Sequence, residues 1–228
     1  MFGIFVASVG EFCVRKQVLL RFSPSPAPLR WIIFCFFVLA MAWPHAIRAQ
    51  GSIAKLDPAA STINFTLGAT FHTVHGTFKM KSGEIHFDPA TGKASGSIVI
   101  DATSGESGDS SRDNKMHKEI LESAKYPEIV FSPTQLVAQP GHTLKEALAQ
   151  KGTTQVQANG IFRLHGRDHD VTLDLAVQND GNGHMEISSS FPIPYIKWGL
   201  KNPNTFILRV SDTVQLEIHA SGQVFPAQ

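Results

Sequence analysis

The chain has 228 residues, 43% of them hydrophobic and 17% charged, with 18 glycines and 13 prolines, proportions that exclude a disordered chain, a fibre and a polytopic membrane protein. Its formal net charge is +1, but five of the 20 Lys and Arg and one of the 19 Asp and Glu fall in the first 49 residues; the remainder holds 15 basic against 18 acidic side chains, a net −3. A mildly acidic domain has no electrostatic footprint for nucleic acid.

Residues 1–49 read as a secretory signal peptide. An uncharged run of 13 residues, Trp31 to Trp43, follows Arg15, Lys16, Arg21 and Arg30 and leads to Ala46-Ile47-Arg48-Ala49, after which cleavage is expected. The run is shorter than the ~20 apolar residues that span a hydrocarbon core. Both cysteines, Cys13 and Cys35, lie in this segment, and Cys35 follows Ile32-Ile33-Phe34 rather than the small residues of a lipoprotein box. The domain at 50–228 therefore has neither disulfide nor thiolate and must rely on its core, which fits a periplasmic or secreted protein of one domain.

In chain order, hydrophobicity alternates with period two. Ile63, Phe65 and Leu67 share a face, as do Val74, Phe78 and Met80 around Gly76, then Ile85 and Phe87. The turn Asp88 to Gly92 leads to a strand carrying Ile98 and Ile100. A helix is expected over 113–124, with Met116, Ile120 and Leu121 at helical spacing and Tyr126-Pro127 as its stop. Strands follow at Ile129 and Phe131 and at Leu136. A second helix is expected over 143–151, opened by the capping box Thr143 and Glu146 and closed by Gly152. Strands either side of His165-Gly166-Arg167-Asp168 read as a hairpin bearing Phe162 on one side and Val171, Leu173 and Leu175 on the other. Met185, Ile187, Phe191 and Ile193 mark the next strand, where Ser188 to Ser190 suggest an edge or rim, and Val214, Leu216 and Ile218 mark the last.

Eight or nine strands at hairpin spacing make an all-β antiparallel architecture. Large residues interleaved with Gly68, Gly76, Gly96 and Gly160 on the inward faces, and the need to remove exposed edges, favour a closed barrel over a sandwich. Periodicity does not separate a filled barrel from a hollow one.

Catalytic and metal-binding patterns are weak. His72 and His75 fall on opposite faces if both lie in one strand, His165 and His169 bracket a turn, and His117 with Glu119 suits a solvated face. There is no Gly-x-Ser-x-Gly elbow and no Gly-rich phosphate loop. No enzymatic activity, metal or cofactor is expected.

Leu56-Asp57 with Ser61-x-Ile63-x-Phe65, His75-Gly76-Thr77-Phe78, Gly83-x-Ile85-x-Phe87-Asp88, Ser111-Arg112-Asp113-x-x-Met116, Lys125-Tyr126-Pro127-x-Ile129-x-Phe131 and Gly160-x-Phe162-x-Leu164-His165-Gly166 occur in that order. In this set the chain resembles the YceI-like lipid- or polyisoprenoid-binding family from about Leu56 to Ala220. The resemblance implies an extended eight-stranded lipocalin-like barrel with one or two short helices, exported, with an elongated cavity for a long isoprenoid chain. Two departures stand out: Ile120-Leu121 replaces a pair of phenylalanines common in the family, and the helix at 143–151 is an insertion.

Binding a polyprenyl chain requires buried apolar area rather than a catalytic group. The candidate lining is Ile63, Phe65, Leu67, Val74, Phe78, Met80, Ile85, Phe87, Ile98, Ile100, Ile129, Phe131, Phe162, Leu173, Ile187 and Leu216. Arg112 is the candidate for a quinone or pyrophosphate head, since guanidinium suits phosphate or carbonyl oxygens. Met116, Leu121, Tyr195 and Trp198 are mouth candidates, and the stretch Pro192 to Phe206, with Lys197 and Lys201, is also a candidate for transient contact with a membrane surface. The expected function is sequestration or transport of an isoprenoid lipid; the alternatives are a filled-barrel adaptor for a membrane or protein partner, or an accessory to a redox or hydrolytic enzyme.

Overall fold

The structure, a computed structural model, describes residues 51–204 and 209–227. The expected signal segment lies outside them, as does Phe206. Eight strands run β1 Ser52–Gly68, β2 Thr73–Phe87, β3 Ala94–Glu106, β4 Glu128–Ala138, β5 Gly152–Leu164, β6 Arg167–Asn179, β7 His184–Ile193 and β8 Val214–Pro226. Each pairs antiparallel with the next, and β8 returns to β1 from Ser52↔Pro226 to Thr66↔Gln215, so the barrel is closed.

The alternation places the strands as expected. In β5, Val156, Ala158, Gly160, Phe162 and Leu164 are buried while the alternate residues between them face outward. The β5–β6 hairpin turns on His165 and Gly166, both at positive φ (52° and 72°), the conformation a tight two-residue connection needs. At the β2–β3 turn, the Asp88 carboxylate accepts from the Ala90 N–H at 2.8 Å and the Thr91 hydroxyl at 2.7 Å. These bonds hold the Asp88 carboxyl below its ordinary range, the Thr91 hydroxyl contributing most.

Three local expectations differ. The segments around Phe131 and Leu136 are one strand, β4, carried past Pro133 by a register shift between Pro133 and Gln135, so the described residues form eight strands and not nine. Ser188 to Ser190 lie inside β7, Ser188 and Ser189 paired with both β6 and β8 and Ser190 with β8, and Ser189 is buried with its hydroxyl donating to the Asp174 carbonyl at 2.8 Å; they form no edge strand in the closed barrel. The first helix begins and ends early: α1 spans Ser110–Lys115, capped by Asp109, and continues as a π-helical turn, Met116–Ile120. It stops there because Glu122 takes a positive φ of 45°. The second helix, α2, spans Leu144–Ala149, and its Thr143–Glu146 capping box is formed in both directions.

The core divides along the barrel axis. The larger cluster, which includes Ile63, Phe65, Met80, Ile100, Ile129, Phe131, Phe162, Leu173, Phe191 and Leu216, fills the half nearer α1. Ala54, Ile85, Phe87, Val156, Val177 and Met185 fill the other half, with Leu144 of α2 as its plug. Ile98 and Ile187 touch both clusters.

Candidate functional site

The half of the barrel nearer α1 contains an apolar cavity of about 440 Å³, within the ~300–1,000 Å³ usual for small-molecule sites. Its walls are the upper inward positions of the strands: Ile63, Phe65 and Leu67 of β1, Val74 and Phe78 of β2, Ile100 of β3, Ile129 of β4, Phe162 and Leu164 of β5, Ile193 of β7, and Val214 and Leu216 of β8. The Phe65 and Phe78 rings meet at 5.4 Å between centroids, and both rest on glycine: Gly76 lies under Phe65, and Gly105 under Phe78. Those glycines let two aromatic rings lie flat against the wall.

A collar of irregular segments narrows the mouth. Met116 and Ile120 come from the π-helical turn and Leu121 from its C-cap, Tyr195, Leu200 and Pro203 from the β7–β8 connection, Ala69 and Val210 from the bridge that pairs them, and His72 from the turn after it. π-helical turns often sit at functional sites, and here the wider turn brings Met116 and Ile120 to the cavity. The collar is tied down at several points. His117 bonds to Ser123 Oγ (3.0 Å) and to the Gly105 carbonyl (2.8 Å). Lys201 pairs with Glu119 at 2.7 Å and keeps that carboxyl below its ordinary range. Glu122 meets His165 Nε2 at 2.5 Å, and Tyr126 packs on the same imidazole at 4.3 Å. The Lys201 pair is solvent-exposed and screened by water, so apolar burial of Leu121, Tyr195 and Leu200 is the stronger restraint.

The polar groups concentrate on the α1 side of the mouth. Arg112 borders the cavity and donates from Nε to Ser107 Oγ and from Nη2 to the Ser107 carbonyl, both at 2.7 Å. Asp113 does not take the guanidinium; it accepts from the Ser107 hydroxyl and from the Ser107 N–H at 2.9 Å. Lys115 and His72 also border the mouth, with Asp109 the acidic member, its carboxylate engaged by the Arg112 N–H at 2.8 Å. Ser107 thus fixes the angle of a guanidinium that keeps a face toward the cavity.

Of the sixteen residues expected to line a cavity, Ile63, Phe65, Leu67, Val74, Phe78, Ile100, Ile129, Phe162 and Leu216 do so. Met80, Ile85, Phe87, Ile98, Phe131, Leu173 and Ile187 face inward but pack into the solid core beneath. The alternation that picks an inward face is the same above and below the cavity floor, so it could not separate the two sets. Met116, Leu121 and Tyr195 stand at the mouth as expected. Trp198 does not: it lies outside the cavity, stacked on His169 at 4.1 Å and 6°, with Phe162 at 5.8 Å. Tyr195 is likewise no membrane-facing residue, because it is buried and donates its hydroxyl to the Ser211 carbonyl at 2.8 Å. Leu164 and Val214 were available from the same period-two faces and Ile120 from its helical spacing with Met116, whereas Ala69, Leu200, Pro203 and Val210 come from irregular backbone that carries no periodic signal.

The histidine pairs do not converge. His72 borders the cavity while His75 faces outward to Thr66 Oγ1 at 3.1 Å, and His165 and His169 turn to Glu122 and Trp198 respectively. Among the described residues no three metal-ligating side chains gather.

A UPF0312 protein of Vibrio cholerae is 24% identical over 185 residues, covering 80% of this chain and 92% of the relative. A UPF0312 protein of Pseudomonas savastanoi is 24% identical over 190 residues, covering 80% and 88%. Among solved structures, Burkholderia cenocepacia BcnA aligns with a TM-score of 0.57 at 20% identity, covering 73% of this chain and 98% of that one. A polyisoprenoid binding domain from Saccharophagus degradans, implicated in plant cell wall breakdown, aligns with a TM-score of 0.56 at 19% identity, covering 75% and 97%. The family model for the YceI-like domain matches residues 55–221, from β1 through the closing strand β8, and the chain belongs to the YceI-like domain family.

Proposed function

We propose that the protein is an exported carrier that holds an isoprenoid lipid, with the apolar tail in the barrel cavity and the head group at the Arg112 side of the mouth. The observation that carries this reading is a one-ended cavity walled by aliphatic and aromatic side chains, whose polar groups are confined to its rim. Each buried methylene contributes about 0.8 kcal/mol, so a branched hydrocarbon tail gains affinity without any directional contact inside. Arg112 and Lys115 at the rim suit a phosphate or a quinone carbonyl. The polyisoprenoid binding domain of Saccharophagus degradans has the same barrel, which supports the assignment. The reading requires no chemistry from the protein itself.

The test is mass spectrometry of the purified protein, first native and then after organic extraction, beside a control protein from the same cells. A stoichiometric isoprenoid adduct absent from the control is the expected result. An apo mass together with no uptake of added prenyl phosphate would overturn the reading and favour a filled-barrel adaptor. Export is tested on the protein recovered from producing cells: an intact mass beginning at Gln50 supports cleavage after Ala49.

A further inference from the structure

The cavity ends partway down the barrel. On five of the seven strands that wall it, the next inward residue below the last lining position is a large side chain that packs in the core: Leu56 beneath Ile63 across the β1 register shift, Met80 beneath Phe78, Ile98 beneath Ile100, Phe131 beneath Ile129 and Phe191 beneath Ile193; on β5 that position is Gly160, against which the Phe131 ring lies, and on β8 it is the partly buried Ile218. Leu56, Met80, Phe131 and Phe191 are buried, and Ile98 bridges to the second core cluster that Leu144 plugs from below. These five residues form a floor across the barrel.

We infer that this floor limits the bound tail to about three isoprene units, a deepening of the carrier reading that names the ligand's length class. From Ala69 at the collar to Ile63 is six residues of near-continuous strand, ~20 Å at ~3.3 Å per residue. A strand tilt of ~35–45° shortens that to ~15 Å along the axis. An isoprene unit adds four main-chain carbon bonds of ~1.5 Å at near-tetrahedral angles, an advance of ~5 Å. A tail of about fifteen carbons therefore reaches the floor, and further units stay outside the barrel in water or against a membrane. The floor opposes the expectation, drawn from the family resemblance, of a cavity for a long chain.

The experiment is a chain-length series on the mature protein with geranyl, farnesyl, geranylgeranyl and octaprenyl phosphates, read as dissociation constants. Because each methylene buried inside adds about 0.8 kcal/mol, affinity is expected to rise at least about tenfold from geranyl to farnesyl. From geranylgeranyl to octaprenyl the gain is expected to stay under about tenfold, because those units bury no more protein-lined surface. A larger gain at that last step overturns the length limit and leaves the carrier reading intact. Binding of none of the four overturns both. Met80→Ala removes part of the floor, and it is expected to raise the ratio of geranylgeranyl to farnesyl affinity at least threefold; an unchanged ratio in a folded variant removes Met80 from the floor.

Discussion

Gly76 tests whether the cavity wall depends on a ring lying against bare backbone. A Cβ at this position would come closer than 3.0 Å both to the Phe65 ring and to the Glu106 carbonyl oxygen of β3. The ring is 6% exposed and held against Phe78, so it cannot swing away into solvent, and the carbonyl belongs to a strand in the closed barrel. Gly76→Ala therefore forces either Phe65 into the cavity or β2 away from β3. Overpacking of this kind costs about 1–3 kcal/mol. For a domain of this size each kilocalorie shifts the melting temperature by about 2–4 °C, so a drop of about 2–12 °C is expected in thermal unfolding followed by circular dichroism. Gly68→Ala is the matched control, because a Cβ there meets only Ser211 Cβ at 3.9 Å, an ordinary contact. If the two variants melt together, the argument from Gly76 to Phe65 fails. Ligand binding supplies a second readout, since a ring displaced into the cavity occupies tail volume: Gly76→Ala is expected to weaken farnesyl phosphate binding and Gly68→Ala is not.

Three further outcomes are expected. Arg112→Ala should weaken binding of a prenyl phosphate by about tenfold or more, in line with loss of a charge-assisted hydrogen bond, while the matching prenyl alcohol loses less; equal losses in titration calorimetry would mean that Arg112 only braces the Ser107 loop. Burial, with a smaller push from Asp212, raises the Tyr195 phenol to about 12. The folded state therefore keeps the proton that the unfolded chain releases near its ordinary value of ~10, so stability is full below pH ~10 and is lost as the pH rises toward 12; in alkaline denaturation Tyr195→Phe should flatten that decline, and an unaltered slope refutes the assignment. Phe71, 77% exposed in the turn beside the mouth that Thr70 ties to the Arg209 carbonyl at 2.9 Å, is expected to be the membrane-touching residue, so Phe71→Ser should reduce co-sedimentation with anionic phospholipid vesicles; undiminished binding excludes it.

Much of this architecture was legible because one face of every strand is dry. The inward sets Ile63, Phe65, Leu67 and Val74, Phe78 follow from alternation alone, and the turn residues Asp88 to Gly92 and His165-Gly166 separate the strands where the structure separates them. Glycines inside strand patterns mark close approach, and Gly76 and Gly160 lie beneath the Phe65 and Phe131 rings. The cavity floor was not legible. Met80 and Phe78 occupy equivalent positions in one pattern, yet one packs below and the other lines the space, because that difference depends on register across strands and not on order within a strand. Trp198 was misplaced for a related reason: the turn after Pro194 directs Tyr195 and Leu200 inward and leaves the indole on the His169 ring, an outcome set by the tertiary path.

Pairing of β1 with β8 makes the first and last strands neighbours along most of their length. These contacts span the greatest sequence separation in the domain, and loop closure over such a distance is the slow step in forming a β topology. Until β8 is in place, β1 and β7 both present open edges and the tail site has a missing wall, since Val214 and Leu216 belong to the final strand. A chain that has not yet placed β8 can therefore neither close the barrel nor complete the cavity wall. On the carrier reading proposed above, cargo is acquired only after β8 has paired, so loading follows barrel closure rather than preceding it.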